Sequence, residues 1–252
     1  MPFKRNASRP VGLSAALACS MLAGGAHAAF IGVTSTNYQV VDGASRYSVI
    51  DVYADFSGAF DKLVNYYGNA SSTSMVRSSL NGTLDGIGFA QASGSNWLPS
   101  GASGGSAWDS FVTIGARSQS DAATVVSADP YFLNATSSGA GTVSGGSNAQ
   151  GSFVGAGWFT GAPTASHVYA GTYADRRIML GRFTVETTGL SAGDLVTLRY
   201  KGNLSMRVGG SSAGAGSILQ SAVDQTFTYG FVPAPGAGLA LVAATLLTRR
   251  RR

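Results

Sequence analysis

A histidine is the usual general base of a hydrolase triad, and the body of this chain offers only one. Of the two histidines in the chain, His27 lies near the start and His167 in the body. We interpret residues 165–169 as a loop entering a strand, where a histidine is ordinarily exposed or hydrogen-bonded. Residues 101–105 and 210–214 match the G-x-S-x-G nucleophile pattern, but both strings lie in Gly/Ser-rich loops without a strand–turn–helix context. The sequence assigns no catalytic residue of this type.

Paired carboxylates are the next chemistry to consider, because a glycosidase needs two of them. Asp51 and Asp55 share one face of a predicted strand, where a spacing of four residues puts them about 13 Å apart, too far for such a pair. The other acidic residues of the body are scattered and include Asp109, Asp121, Asp129, Asp175 and Glu186. We therefore expect a protein that is not an enzyme.

Metal binding has little support in the sequence. Zinc requires Cys or His ligands, and the body has one histidine and no cysteine, since Cys19 is the only cysteine of the chain. Calcium needs only oxygen ligands, and four aspartates lie near predicted turns: Asp42, Asp61, Asp85 and Asp129. No D-x-[DN]-x-[DN]-G loop occurs. We expect no cofactor, and a structural Ca²⁺ stays open without assignable ligands.

The three tryptophans are the remaining lead, because an exposed indole can stack on a sugar ring. Trp108 and Trp158 lie in apolar segments that read as strands, and we expect both in the core. Trp97 lies in a loop beside Pro99. Trp97 is therefore the candidate for sugar stacking.

The elements that must position these residues are strands, because the apolar pattern of the body has period two. In residues 46–56, Ile50, Val52 and Phe56 share the more apolar face, which predicts that this face points at the core. Residues 63–67 follow a short turn and read as the hairpin partner of that strand. Residues 108–115 read as a central strand, because Phe111 and Val112 are apolar on both faces.

Further strands are predicted at 73–77, 122–126, 153–159, 178–187, 195–200, 203–208 and 226–231, with 195–200 and 203–208 paired about Lys201-Gly202. Glycine, at 35 of 252 residues, is about twice its usual frequency of ~7% and suits many tight turns. The expected fold class is all-β: an antiparallel β-sandwich of jelly-roll or immunoglobulin-like type over residues 29–231.

The first 28 residues have the layout of a secretory signal peptide. Lys4, Arg5 and Arg9 form a basic start, residues 11–23 are mostly apolar, and a small-x-small motif ends at Ala28. We predict cleavage between Ala28 and Ala29. The residues before Cys19 make a poor lipoprotein motif, so a lipidated start is the weaker alternative.

The last 21 residues combine a proline segment, an apolar run and a basic end. The proline segment consists of Val232, Pro233, Ala234 and Pro235, and the basic end of Arg249, Arg250, Arg251 and Arg252. The apolar run, residues 236–248, rises only about 20 Å as a helix, whereas a bilayer core of about 30 Å needs nearer 20 residues. A transient stop in the membrane therefore fits this short hydrophobic helix better than a permanent anchor.

This order resembles the PEP-CTERM sorting signal of Gram-negative bacteria, in a VPAP form with Ala234 where that family usually has Glu. The segments VYADF, DSFVTIG and AGWF also resemble secreted bodies that carry such signals. The resemblance implies export, transient contact with the inner membrane, recognition by an exosortase-type transpeptidase, and release or attachment at the cell surface, often beside exopolysaccharide. An ordinary C-terminal membrane anchor is the alternative.

The positive charge of the chain belongs to its two ends. Seven of the 17 Lys and Arg residues lie in residues 1–28 and 232–252, and none of the 12 Asp and Glu does. The body keeps ten basic and twelve acidic residues, a net charge of −2 instead of the +5 of the whole chain. A nucleic-acid partner is therefore not expected.

Two hypotheses follow from the sequence. The first is a non-enzymatic structural or adhesion protein of the cell surface or extracellular matrix. The alternative is a carbohydrate-binding or carbohydrate-active module acting on exopolysaccharide, which requires Trp97 and a carboxylate to lie together on one concave face.

Overall fold

The structure is a computed structural model, and it describes residues 29–68, 74–81, 89–90, 106–117, 126–128, 152–153 and 157–231. Several predicted features lie outside these residues: the signal peptide with Ala28, the candidate Trp97, and the whole C-terminal segment from Val232 to Arg252. Ala29, on the far side of the predicted cleavage site, is described. It is exposed, and its backbone N–H donates to Oγ of Ser57 at 2.8 Å.

The described part of the chain folds into two antiparallel β-sheets, which confirms the all-β class. The strands in chain order are β1 (Phe30–Asp42), β2 (Ser45–Phe56), β3 (Lys62–Tyr67), β4 (Ser74–Leu80), β5 (Phe111–Val112), β6 (Val126–Ala128), β7 (Ser152–Phe153), β8 (Gly157–Thr160), β9 (Arg177–Glu186), β10 (Leu195–Val208) and β11 (Ser217–Gly230). The four-stranded sheet has the order β1-β2-β9-β5. The other strands form a seven-stranded sheet.

Strand β10 organises the seven-stranded sheet. Along its whole length it pairs with β11, from Leu195 opposite Gly230 to Val208 opposite Ser217. Its other edge is shared, because β4 pairs with residues 196–201 and β3 with residues 203–207. β7 extends the sheet beyond β4, and β8 and β6 extend it beyond β3. Two groups of strands thus diverge from one edge of β10, and the sheet curls into a half-barrel.

The core lies between the two sheets. From β2 it takes the face that the alternation predicts, including Ile50 and Val52, and both side chains are fully buried. From the curled sheet it takes Tyr66 of β3, whose ring lies 4.2 Å from that of Trp158 and 4.9 Å from that of Tyr200. Burying a large apolar side chain contributes roughly 1.5–3 kcal/mol, so this aromatic cluster is a main source of stability.

The predicted hairpin about Lys201-Gly202 is wrong, because β10 runs straight through both residues. Gly202 makes room for a ring: a Cβ atom there would lie 2.6 Å from Cζ of Tyr66. The Tyr66 hydroxyl donates to the carbonyl of Lys201. The glycine that reads as a turn signal is therefore a site of close packing within a continuous strand.

Strand β3 is not the hairpin partner of β2, contrary to the prediction, because both edges of β2 are occupied by β1 and β9. The chain crosses to the other sheet through residues 57–61, where a carboxylate fixes the corner. Oδ2 of Asp61 accepts from the N–H of Gly58 at 2.9 Å, and Oδ1 accepts from the N–H of Gly209 at 3.0 Å. The hairpin partner is β1, which the sequence analysis missed. Asp42-Gly43 is the turn signal for it, with Gly43 at φ 60°.

Strand β5 is an edge strand, not the central strand that residues 108–115 predict. Within β5, only Phe111 and Val112 pair with β9. Beyond them, backbone hydrogen bonds outside the regular ladder hold the segment against β9, such as the one from the N–H of Thr113 to the carbonyl of Leu180 at 3.0 Å. Phe111 and Val112 are nevertheless buried, because both faces of this sheet are covered.

Candidate functional site on the outer face of the four-stranded sheet

The outer face of the four-stranded sheet, turned away from the core, is covered by arginine side chains and aromatic rings. Its central residues come from β2, where Tyr47, Val49, Asp51, Tyr53 and Asp55 alternate with the core residues. Val49 and Asp51 are buried although they point away from the main core. Each polar group of this face therefore needs a partner on a neighbouring strand.

Asp51 finds that partner in Arg182, which lies directly opposite on β9. Nε and Nη2 of Arg182 donate to Oδ1 and Oδ2 of Asp51 at 2.8 and 3.1 Å, and the two side chains are only 18% and 8% exposed. Burial lowers the pKa of the guanidinium, but the hydrogen bond and the charge of Asp51 outweigh it, so that the pKa of Arg182 is raised. Its Cζ lies 5.3 Å from the ring centroid of Phe111.

Tyr38 of β1 lies on the other side of the same guanidinium, with its ring centroid 5.7 Å from Cζ of Arg182. Burial, together with the charge of Asp51, raises the pKa of Tyr38 to about 12. The residue is still 38% exposed. Tyr38 thus lies between the buried ion pair and solvent.

A second group on this face, the arginine–tyrosine ladder, consists of Tyr173, Arg117, Tyr53 and Arg177. Cζ of Arg117 lies 3.9 Å from the ring centroid of Tyr173 and 5.4 Å from that of Tyr53, and Cζ of Arg177 lies 4.2 Å from that of Tyr53. Burial raises the pKa of Tyr53. Arg177 pairs with Asp55 at 3.3 Å. The ladder ties the segments around residues 117 and 173 to the sheet by cation–π contacts.

Trp108 lies at the surface beside the β1–β2 turn, which corrects the prediction that it belongs to the core. Its ring is stacked on Tyr47 with centroids 4.5 Å apart and planes 8° from parallel. Its Nε1 donates to Oδ2 of Asp42 at 2.8 Å. The reason is local. Residues 107–108 form a turn ahead of β5, whereas the sequence pattern predicts a strand that already begins at residue 108. Half-buried Trp108 contrasts with Trp158, which is 1% exposed, as predicted.

His167 lies in a 3₁₀ turn, Ser166–Val168, and not at a strand start. It is 5% exposed, and its carbonyl accepts from the Tyr173 hydroxyl at 3.3 Å. The second G-x-S-x-G string, residues 210–214, lies in the turn between β10 and β11, as a loop reading predicts. The first string lies outside the described residues.

The carboxylates that the structure describes have partners within the chain. Asp51, Asp55, Asp175 and Asp224 pair with arginines, Asp61 with backbone N–H groups, Asp194 with Asn81 and Ser191, Asp42 with Trp108 and Glu186 with Thr188. Asp109 is fully buried. Among the residues that the structure describes, no three His, Cys, Asp or Glu side chains are grouped to hold a metal ion.

Within the described ranges there is no helix whose length and hydropathy suit a membrane span. The apolar run at residues 236–248 lies outside those ranges.

No protein-family model, no curated protein and no solved structure matches this chain.

Proposed function

We propose that this chain is an exported, non-enzymatic protein of the cell surface or extracellular matrix, with a structural or adhesive role. An exosortase-type enzyme processes it at the PEP-CTERM-like signal from Val232 to Arg252. The two sheets around a common core support the β-sandwich reading of the body, and the jelly-roll or immunoglobulin-like assignment is part of this proposal.

The main support for a non-enzymatic role is that the described carboxylates are held by partners within the chain. A general acid or base must be free to exchange a proton with a substrate, and its pKa is usually shifted toward the working pH. Here Asp51 and Asp55, the two carboxylates that share a strand face, are each held by an arginine. The pKa shifts of Asp194 and Asp224 are downward, away from neutral pH. These groups stabilise strands and turns.

The end of the body supports processing close behind it. Phe231 is 5% exposed, and its backbone N–H donates to the carbonyl of Asp194 at 2.7 Å. The proline segment starts at the next residue, Val232. A cut in or after that segment removes no described strand, so the body keeps its core when the tail is lost.

Intact-mass measurement and fractionation of the native protein from its own host test the proposal. The control is a variant that lacks Arg249, Arg250, Arg251 and Arg252. We expect the measured mass of the wild type to match a chain that begins at Ala29 and ends between Val232 and Gly236. The protein should be found on the cell surface or in the medium. The variant without the basic end should keep its apolar run, because the signal is incomplete.

A wild-type mass that includes Arg252, in a protein retained in the inner membrane, contradicts the sorting proposal. The tail is then an ordinary anchor, and the body faces the periplasm.

A carbohydrate-binding module is the second candidate function, and one observation favours it. Trp108 is half-buried at the surface and bonds to a carboxylate, Asp42. Trp97, the tryptophan that the sequence favours for sugar stacking, lies outside the described residues, so Trp108 is the described tryptophan that lies beside a carboxylate at the surface.

A further inference from the structure

We propose that Trp108 and its neighbours on the outer face form a binding site for a neutral sugar ring of a polysaccharide. The inference deepens the second candidate function, and it rests on the proposed location outside the cell, where the protein meets such polymers. The site consists of Tyr38, Asp42, Tyr47 and Trp108.

The indole is held in place before any ligand arrives. Tyr47 supports one face of the ring in a near-parallel stack, and Asp42 fixes its edge through Nε1. Tyr47 is itself 8% exposed, so the support cannot easily move. A platform that is already ordered loses little side-chain entropy on binding, which favours affinity.

Two polar groups lie on the same face of the sheet as the platform, the carboxylate of Asp42 and the phenol of Tyr38. Asp42 is exposed, and it uses only Oδ2 for Trp108. A carboxylate has about four acceptor sites, so Asp42 can also accept from sugar hydroxyls. Tyr38 is 38% exposed, and Nη1 of Arg182, which lies against it, donates to the carbonyl of Ala107 at 3.3 Å. This contact joins the Tyr38 side of the face to the turn that carries Trp108.

The combination selects a sugar because a pyranose ring has an apolar C–H face and a rim of hydroxyl donors. The C–H face matches the indole, and the hydroxyls match the carboxylate and the phenol. Charge selects a neutral sugar. Glu186, exposed and opposite Tyr47 in the register, adds a second negative group at this end of the sheet. Acidic sugars are therefore repelled.

Affinity electrophoresis of the mature protein purified from its host tests the site. Native gels are cast with dextran, with a galactomannan, or with neutral polysaccharide from the host's own medium. We expect retardation of the wild type in at least one gel, and Trp108→Ala should weaken binding about tenfold or more. The matched control is Phe159→Ala. Phe159 is an exposed aromatic residue, at 47%, and it lies on β8 of the other sheet, so this variant should bind as the wild type does.

A second variant separates binding from folding. Trp108→Phe keeps an aromatic ring on Tyr47 but loses the donor to Asp42, and it should bind with intermediate affinity at an unchanged unfolding midpoint. The site is refuted if the wild type migrates freely in every gel, or if Trp108→Ala is retarded as strongly as the wild type. Either result leaves the sorting proposal intact, because that proposal depends on the mass of the processed protein and not on sugar binding.

Discussion

Arg182 and Arg199 make the same contact in two different environments. Both form two hydrogen bonds to a carboxylate on a neighbouring strand, Arg182 to Asp51 and Arg199 to Asp224. The first pair is largely buried, whereas the side chains of the second pair are 48% and 45% exposed. Geometry alone therefore does not set their contributions to stability.

We expect Arg182→Met to lower the free energy of unfolding by about 3 kcal/mol, because it leaves the carboxylate of Asp51 buried without its partner. Arg199→Met should lower it by at most about 1 kcal/mol, since solvent screens an exposed pair. Urea unfolding of both variants measures the difference. Equal losses in the two variants would contradict the role assigned to burial.

Tyr38 gives a pH dependence at the alkaline end. Its pKa is raised from 10.0 to about 12 in the folded protein, mainly by burial. Below pH 10 the phenol is neutral in both folded and unfolded chains. Between pH 10 and about 12 only the unfolded chain ionises it, so folding stability falls as pH rises through this window.

The matching variant is Tyr38→Phe, which lacks the titrating group and should lose less stability over that pH range than the wild type. Denaturant midpoints measured at several alkaline pH values test this. Parallel curves for the two proteins would show that the folded-state pKa of Tyr38 is not raised.

The position of Trp108 could not be predicted from the sequence. Its apolar context and the start of an alternating pattern favour a core position, and the same reasoning is right for Trp158. What differs is that Trp108 lies in a turn ahead of β5 and packs on the outer face of the sheet. Trp108 stacks on Tyr47, which is distant along the chain, and single-sequence periodicity contains no information on that pairing.

At the scale of elements, the long alternating strands could be predicted and their partners could not. Residues 46–56 and 178–187 read as strands within one residue of β2 and β9. Their mutual pairing joins residues more than 120 positions apart, such as Asp55 and Arg177. The prediction chose the nearest strand along the chain for β2, which is the usual outcome for hairpins. It failed because β2 already has two neighbours.

Gly202 provides a test of how β10 packs. We expect Gly202→Ala to lower the free energy of unfolding by about 2 kcal/mol or more, because the new methyl group overlaps the ring of Tyr66. Gly32 of β1 is the control, since a Cβ atom there meets nothing within 4 Å. Gly32→Ala should be neutral or slightly stabilising. Thermal unfolding of the two variants compares them directly, and an unperturbed Gly202→Ala would mean that Tyr66 can move aside.

At the scale of the whole molecule, composition predicts the all-β class but not the division of strands between sheets. Sparse charge, many glycines and period-two patterns are enough for the class. The half-barrel arises because β3 and β4 share one edge of β10. That arrangement depends on packing among Tyr66, Trp158 and Tyr200, a long-range property that no local pattern reports.

The charge of the whole molecule predicts how the proposed processing would change its isoelectric point. The full chain has a formal charge of +5 and a pI near 9.5. Loss of both ends leaves twelve acidic and ten basic residues, and loss of the signal peptide alone leaves fourteen basic residues. We expect the mature protein to focus below pH 7. A product that begins at Ala29 but focuses in the basic range would show that the tail remains.

The shared edge of β10 also determines when this chain can become a folded body. Strand β3 can pair only after β10 has been synthesised, because the hydrogen bond from Asn203 to Tyr67 spans 136 residues. Strand β2 likewise needs β9 as its second neighbour. Contacts of such long range make folding slow, typically milliseconds to seconds. Until the last strands have left the ribosome, the first half of the chain lacks the partners that would lock it. The chain therefore stays without its rigid form for most of its synthesis, which suits the export that we propose, and it acquires that form only after residues 195–230 are in place.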